Sequence, residues 1–439
     1  MAEIFKAYDI RGLYGTDLTE QTAADIGRGF VTFTRCRTVV VGYDIRSHSK
    51  PLFEALAKGL TEMGADVVAL GLCSTPISYF ANGLLQTDAG IMITASHNPP
   101  EWNGFKLCRE NAIPISGATG IQDIKAICEN KAFEPVAGQP GTVSERDVTA
   151  EYVAHVRKLA DLKRPIRIAA DFANAMGIFE MKALDGLVEI DPLFDELDGS
   201  CPNHEANPLK AETLETLQAR MREGGYDFGA AFDGDSDRVG FVDEAGEIIP
   251  MDIMTALIAR SILEHRKGTI LYDLRSSWSV KEVIEENGGT PVMCRVGHAF
   301  IKQQMRDCDA LYAGELSGHY YFQQNYFTES AAMAVLSVAN LLSHSDAALS
   351  ELIRPLQRYC ATGEINLEVA AAEPLFAKLR EKYADGNIIE LDGLSIEYED
   401  WWFNLRASNT EPLVRLNLEA KTPDTREQRK RELLALIGE

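Results

Sequence analysis

The stretch Gly90-Ile91-Met92-Ile93-Thr94-Ala95-Ser96-His97-Asn98-Pro99-Pro100, continued by Trp102-Asn103-Gly104-Phe105-Lys106, decides the fold. An apolar run stops abruptly at a Ser-His-Asn-Pro-Pro turn, the pattern of a buried strand of a parallel sheet that delivers a polar loop to its carboxyl edge. Open α/β sheets hold their ligands at that edge, which makes Ser96 a candidate reactive hydroxyl. Taken alone, the same residues also read as an ordinary turn, so the weight falls on what the rest of the chain repeats.

Outward from this stretch, residues 38–44 are a β-branched run ending in Asp44, 51–63 read as a helix, 65–70 as a second strand and 90–94 as a third that ends at Ser96. This β-α-β-α-β order returns with strands at 166–171, 188–190 and 228–232, helices near 178–184 and 211–222, and Asp233 at its end. It returns again with strands at 269–273, 291–295 and 310–313, helices at 279–286 and 299–306, and Gly314 at its end. Each first strand ends in an acid (Asp44, Asp171, Asp273), and each third strand runs into a polar loop. The second strands of units one and three end in Ser74-Thr75-Pro76 and Gly297-His298. Parallel strands joined by helical crossovers share one handedness, so three such units present equivalent loops to one cleft.

From about residue 360 the pattern changes. Strands are expected at 364–369, 388–391, 395–398, 401–406 and 414–420, with helices at 374–383 and 425–437. The expected architecture is therefore α/β: three related α/β domains with mixed, largely parallel sheets, plus a C-terminal α+β domain, around a central cleft. Turn-rich segments place the domains at 1–147, 148–246, 247–358 and 359–439.

A chain of 439 residues exceeds one core and fits about three or four domains of ordinary size. With 46% apolar and 25% charged residues it has the composition of a globular protein. Lys and Arg number 43 against 66 Asp and Glu, a net charge of −23, which argues against nucleic acid or an anionic membrane as partner but leaves room for a small anionic substrate in a locally positive pocket. The N-terminus lacks a basic-then-apolar signal pattern and no apolar run is long enough to span a bilayer, so a cytoplasmic enzyme without an obligatory protein partner is expected. Eight scattered cysteines without a C-x-x-C pair suggest neither a zinc site nor a disulfide framework.

Three further stretches carry chemistry. Asp233-Gly234-Asp235-Ser236-Asp237-Arg238 crowds three carboxylates that repel one another unless a cation such as Mg²⁺ shares them. The spacing also matches the opening of an EF-hand, with Glu244 in the twelfth place, but Arg238 stands where that loop needs glycine and a strand precedes it, so Ca²⁺ in an EF-hand is the weaker reading. Gly314-Glu315-Leu316-Ser317-Gly318-His319 offers a carboxylate and a hydroxyl on one turn, suited to vicinal sugar hydroxyls. Arg406-Ala407-Ser408-Asn409-Thr410-Glu411-Pro412 is a phosphate-binding inventory of one guanidinium, hydroxyls, an amide and backbone N–H groups.

Together with Tyr8-Asp9-Ile10-Arg11-Gly12, these stretches resemble, in order and over nearly the whole chain, the α-D-phosphohexomutase family, most closely its bacterial phosphomannomutase branch. The resemblance implies four domains around a cleft. It implies that Ser96 carries a phosphoryl group beside Mg²⁺ held by Asp233, Asp235, Asp237 and Ser96. Arg11, Lys106 and His298 would line the reacting centre, with their proton-transfer roles unassigned. Arg238, Glu315, Ser317, His319, Arg406, Ser408, Asn409 and Thr410 would bind substrate. The implied reaction interconverts mannose 6-phosphate and mannose 1-phosphate through phosphoserine and a hexose bisphosphate that serves as activator and intermediate, with a hinged fourth domain gripping either end of the sugar. A glucose-phosphate or dual-specificity mutase is the alternative, and a sugar-phosphate-binding protein without catalysis is the reading from another class. Two departures stand out: Ser236, where many relatives have Gly, and Arg275, near a place where Lys is frequent.

Overall fold

The computed structural model describes residues 4–369, 371–407 and 413–438. The first unit contains β1 (Ile10–Leu13), α1 (Glu20–Thr34), β2 (Thr38–Tyr43), α2 (Ser49–Glu62), β3 (Asp66–Leu72), α3 (Thr75–Leu85), β4 (Ala89–Ile93), β5 (Trp102–Arg109), β6 (Pro114–Ile115), α4 (Gln122–Asn130) and β7 (Val143–Glu145). The second contains α5 (Thr149–Arg157), β8 (Arg167–Asp171), α6 (Gly177–Met181), β9 (Glu189–Leu193), α7 (Glu215–Arg222), β10 (Phe228–Phe232), β11 (Val239–Val242) and β12 (Ile248–Ile249). The third contains α8 (Met251–His265), β13 (Thr269–Asp273), α9 (Trp278–Glu286), β14 (Thr290–Cys294), α10 (His298–Asp307), β15 (Tyr312–Gly314), β16 (Tyr320–Phe322), β17 (Thr328–Glu329), α11 (Ala331–Ser343) and α12 (Leu349–Ile353). The last contains β18 (Cys360–Glu368), α13 (Ala372–Lys382), β19 (Asn387–Ile389), β20 (Leu394–Glu397), β21 (Trp401–Ala407), β22 (Leu413–Ala420) and α14 (Pro423–Ile437).

The repeat is visible in the sheets. Their orders contain β5-β4-β2-β3, β11-β10-β8-β9 and β16-β15-β13-β14, so each unit places its first strand between its third and second and adds an antiparallel strand beside the third. The parallel strands thus open their carboxyl ends in equivalent positions, where such sheets hold ligands. The fourth sheet, β18-β22-β21-β20-β19, is antiparallel throughout.

The expected elements differ from the observed ones where burial hides the period. α8 and α11 are buried on most sides, so no polar stripe marks them as helices, and neither is legible as a helix in the periodicity. β1 and α1 lie before the first β-branched run, outside the elements that the repeat predicts. The expected helix at 178–184 is the five-residue α6 followed by a tight 3₁₀ turn, and the one at 211–222 opens as a 3₁₀ turn before α7.

One apolar core runs through all three α/β units, joining Val40 and Phe80 to Tyr152 and Phe232 and on to Tyr320 and Leu336. The last domain has its own core around Leu379, Trp401, Phe403 and Leu416. At the junction of the three units sits a buried carboxylate, Glu180 of α6. It accepts from Ser74 Oγ at 2.5 Å, Tyr152 OH at 2.8 Å and the Ala332 backbone N–H at 3.2 Å, and so ties α3, α5 and α11 together.

Burial pushes the Glu180 carboxyl up to about 7 despite these three donors, from an ordinary value near 4.5. The folded chain therefore holds a proton there that the unfolded chain has already released between the two values, and stability falls as pH rises through that window. Relative to Glu180→Gln, the unmodified protein is expected to lose roughly 3 kcal/mol between pH 4.5 and 8, read from urea unfolding of both proteins. Parallel pH profiles would show that Glu180 is ordinarily ionised in the fold.

Candidate active site

Ser96 sits in the loop after β4 with a φ of 52°, the left-handed region that a non-glycine residue holds at a cost of about 1–3 kcal/mol. Its Oγ is buried and donates to Asp233 Oδ2 at 2.7 Å, and lies 3.1 Å from His97 Nδ1. Its backbone N–H is held by Thr94 Oγ1 at 2.9 Å. The acidic loop between β10 and β11 comes so close that a Cβ at Gly234 would stand 2.3 Å from the Ser96 carbonyl oxygen, so only glycine fits there. Ser236 takes a φ of 60° in the same loop, a conformation glycine adopts freely.

Oxygens of Asp233, Asp235 and Asp237 lie within 4.8 Å of one another and all three residues are buried. Lys106, on β5 and paired with Met92 of β4, reaches across to donate to Asp235 Oδ2 at 2.6 Å and to Asp237 Oδ2. Asp235 Oδ2 also accepts from Thr75 Oγ1 at 2.5 Å, at the start of α3. Burial, then Asp235 and Asp237, holds the Asp233 carboxyl well above the ordinary range. At Asp237 burial acts the same way, but Lys106 and then His319 outweigh it and hold that carboxyl well below its usual range.

The residues fit a hard divalent cation. They supply three carboxylates on one loop, and the buried Asp235 Oδ1 has no hydrogen-bond partner among the described residues. The element before this loop is the strand β10, so the helical frame of an EF-hand is absent.

Cations and imidazoles surround this centre. Arg11 on β1 donates to Asn98 Oδ1 in the Ser96 loop at 2.5 Å and to Asp9 Oδ2 at 2.5 Å. Arg238 donates its backbone N–H to Asp233 Oδ1 at 3.2 Å and forms an antiparallel bridge with His319, which brings the acidic loop against the turn between β15 and β16. His319 faces Asp237 Oδ1 at 3.3 Å and Glu315 Oε2 at 3.1 Å, with Ser317 Oγ 2.7 Å from its Nδ1. Burial opposes its charge, but Asp237 prevails and raises the imidazole to about 9, so it is a cation at neutral pH. Glu315 also accepts from Gly297 N–H at 3.2 Å and Tyr321 OH at 3.1 Å.

His298 opens α10 with its ring 6.5 Å from that of His319 and 6.2 Å from that of Tyr8. Burial, then Lys302 and Lys106, pulls it well below the usual histidine range, leaving a neutral ring next to a charged one. Behind it, fully buried Lys302 pairs with Glu329 at 2.8 Å, and Glu329 Oε1 lies 3.9 Å from His298 Nδ1.

Across the cleft, Arg275 is paired with Asp273 and reaches Glu364 Oε2 at 3.4 Å. Glu364 also faces Arg406 at 3.7 Å and Arg415 at 3.3 Å, so one carboxylate gathers three guanidinium groups where the third and fourth domains meet. Ser408, Asn409 and Thr410 lie outside the described residues.

Ser96, Lys106, Arg238, His319 and the three aspartates thus form one contiguous cluster. Arg11 joins it through Asn98, His298 stands beside His319, and Arg406 faces Glu364 on the far side. Sequence reading did not single out Thr75, Lys302 or Glu329. Thr75 lies in the polar strand-end loop Ser74-Thr75-Pro76; Lys302 and Glu329 carry no local pattern, because their partners come from other elements.

Comparisons with known proteins cover the whole chain. Four models match in order: phosphoglucomutase/phosphomannomutase alpha/beta/alpha domain I over residues 2–135, domain II over 150–246, domain III over 250–359, and the C-terminal domain over 364–436. An Escherichia coli phosphomannomutase is 40% identical over 449 residues, covering 99% of this chain and 98% of its own. A Methanocaldococcus jannaschii phosphomannomutase is 39% identical, covering 99% and 97%. The crystal structure of a phosphoglucomutase/phosphomannomutase family protein from Burkholderia thailandensis superposes with a TM-score of 0.92 at 33% identity, covering 99% and 97%.

Proposed function

Because this chain belongs to the phosphoglucomutase/phosphomannomutase family, a family of phosphohexose mutases, we propose that it interconverts mannose 6-phosphate and mannose 1-phosphate through a phosphorylated Ser96 and a hexose bisphosphate. The observation that carries this reading is the buried Ser96 Oγ, 2.7 Å from the first of three clustered carboxylates with Lys106 bound to the other two. Asp233, Asp235 and Asp237, with the Ser96 side chain, would hold Mg²⁺, which when bound neutralises charge on phosphoryl oxygens during transfer.

The protein's own groups supply the rest. Phosphoryl transfer asks chiefly for in-line positioning and fixed positive charge; Arg11 binds the Ser96 loop through Asn98, and Lys106 and Arg238 face the acidic loop that Ser96 Oγ meets. His298, pulled below the usual histidine range by burial, stands beside His319, and two adjacent imidazoles would suit a reaction whose donor and acceptor hydroxyls exchange roles. Glu315 and Ser317 would contact sugar hydroxyls, and Arg406 with Ser408, Asn409 and Thr410 would hold the phosphate already present. The separate core of the last domain supports a hinge there, with divisions near 147, 246 and 358. No helix among the described residues is long and apolar enough to cross a membrane. The eight free cysteines fit a reducing, cytoplasmic setting, and the phosphomannomutase relatives support hexose phosphate as the partner.

The test is a coupled assay with mannose 1-phosphate and glucose 1-phosphate in parallel, with Mg²⁺ and catalytic hexose bisphosphate. The expected result is turnover with the larger kcat/KM on mannose 1-phosphate. Preference for glucose 1-phosphate would reassign the substrate, and no turnover on either would leave a binding protein.

A further inference from the structure

We propose that Arg46 is the positioning residue that sets the conformation of the Ser96 loop, a role that rests on the reading of Ser96 as phosphoryl carrier. Its guanidinium has five N–H donors, and every one is engaged. Nε donates to Asp44 Oδ2 at 3.2 Å. One terminal nitrogen donates to the carbonyls of Pro99 at 2.7 Å and Trp102 at 3.0 Å, the other to those of Ser96 at 2.8 Å and Asn98 at 2.6 Å. Four carbonyls of the reactive loop thus converge on one buried cation.

The neighbours serve the same arrangement. Asp44, which ends β2, accepts from Ser49 Oγ at 2.5 Å and from the Arg46 backbone N–H at 3.1 Å, and His48 Nε2 lies 3.0 Å from the Pro100 carbonyl. The Asp-x-Arg pair recurs in the third unit as Asp273 and Arg275, where the guanidinium instead faces the fourth domain. The first unit has turned the repeated pair onto its own loop.

The arrangement gives the loop what its sequence lacks. The run 96–102 holds its nucleophile at a left-handed φ and carries two consecutive prolines without N–H groups, so internal turns satisfy few of its carbonyls. Tying those carbonyls to Arg46 fixes the backbone from which Ser96 Oγ reaches Asp233. A lysine has three tetrahedral donors in place of a planar fork and cannot reproduce four such bonds.

Arg46 and Asp44 also line a cavity of about 240 Å³ between the first two units, bounded by Asn98, Pro99 and Ala206. A guanidinium ion is small enough to enter it from solvent.

The experiment compares the intact protein, Arg46→Lys and Arg46→Ala in the coupled assay, with Ser96 phosphorylation by hexose bisphosphate followed by mass spectrometry. The expected result is a fall in kcat on the order of 10²-fold in both variants, slower Ser96 phosphorylation, and KM for hexose phosphate within about threefold. Millimolar guanidinium should restore part of the Arg46→Ala rate and none of the Arg46→Lys rate. If Arg46→Ala does not fold, Arg46→Lys carries the test, with circular dichroism giving its folded fraction. Arg46→Lys with wild-type kcat, or losses that match only the unfolded fraction, would overturn the proposal. Absence of Ser96 phosphorylation in the intact protein would instead overturn the phosphoryl-carrier reading and this role with it.

Discussion

Ser96→Ala is expected to lower mutase turnover by on the order of 10⁴-fold or more while leaving the fold intact. The hydroxyl is the acceptor and donor of the migrating phosphoryl group in the proposed cycle, and no other hydroxyl among the described residues bonds to the Asp233 carboxylate. The structural cost is small. The Ser96 backbone bond to Thr94 and the four carbonyl bonds to Arg46 do not involve Oγ, and Asp233, whose carboxyl burial already pushes toward the neutral form, loses one donor worth about 1 kcal/mol. A coupled assay, with thermal unfolding as control, reads both halves. Turnover near the wild-type rate in a folded variant would end the case for Ser96.

The second large effect concerns Lys106. Its ammonium is buried and bound to two carboxylates, and although burial opposes the charge, Asp235 and then Asp237 hold it far above the ordinary lysine range. Removing it in Lys106→Met leaves a buried triplet of acids with Ser96, Thr75, Arg238 and His319 as remaining side-chain and backbone donors. Breaking a buried pair on one side costs about 3–5 kcal/mol, so the metal-free variant is expected to unfold at a markedly lower temperature. A divalent cation that binds only the folded triplet returns about 2.7 kcal/mol at a hundred times its dissociation constant. The variant's Tm should therefore rise with Mg²⁺ more steeply than that of the parent. Turnover is expected to fall by about 10²–10³-fold even with Mg²⁺ present, because a fixed positive charge beside the transferring group is gone. A metal-free Tm equal to that of the parent would show that Lys106 does not neutralise the triplet.

The placement of Ser236 and Gly234 shows which local signals are legible in the sequence. A glycine and a short polar residue inside a run of acids mark a tight loop, and the structure gives the reasons: one must clear the Ser96 carbonyl, and the other is left-handed. The helices α8 and α11 were illegible for the opposite reason, since burial on nearly all sides removes the polar stripe from which a helical period is read.

The linear chain by itself determined the threefold β-α-β-α-β plan, the acids that end each first strand, and the polar loops at equivalent strand ends. These are local properties, set by side-chain periodicity and by where apolar runs stop. Which side chains meet was decided only by the tertiary structure. Arg46 lies fifty residues before the loop it holds, Thr75 lies 160 residues before Asp235, and Glu180 joins helices from three units. No period or spacing encodes such pairs, because they arise from packing three sheets around one core. Each charged group there then depends on partners that burial has made its only solvent.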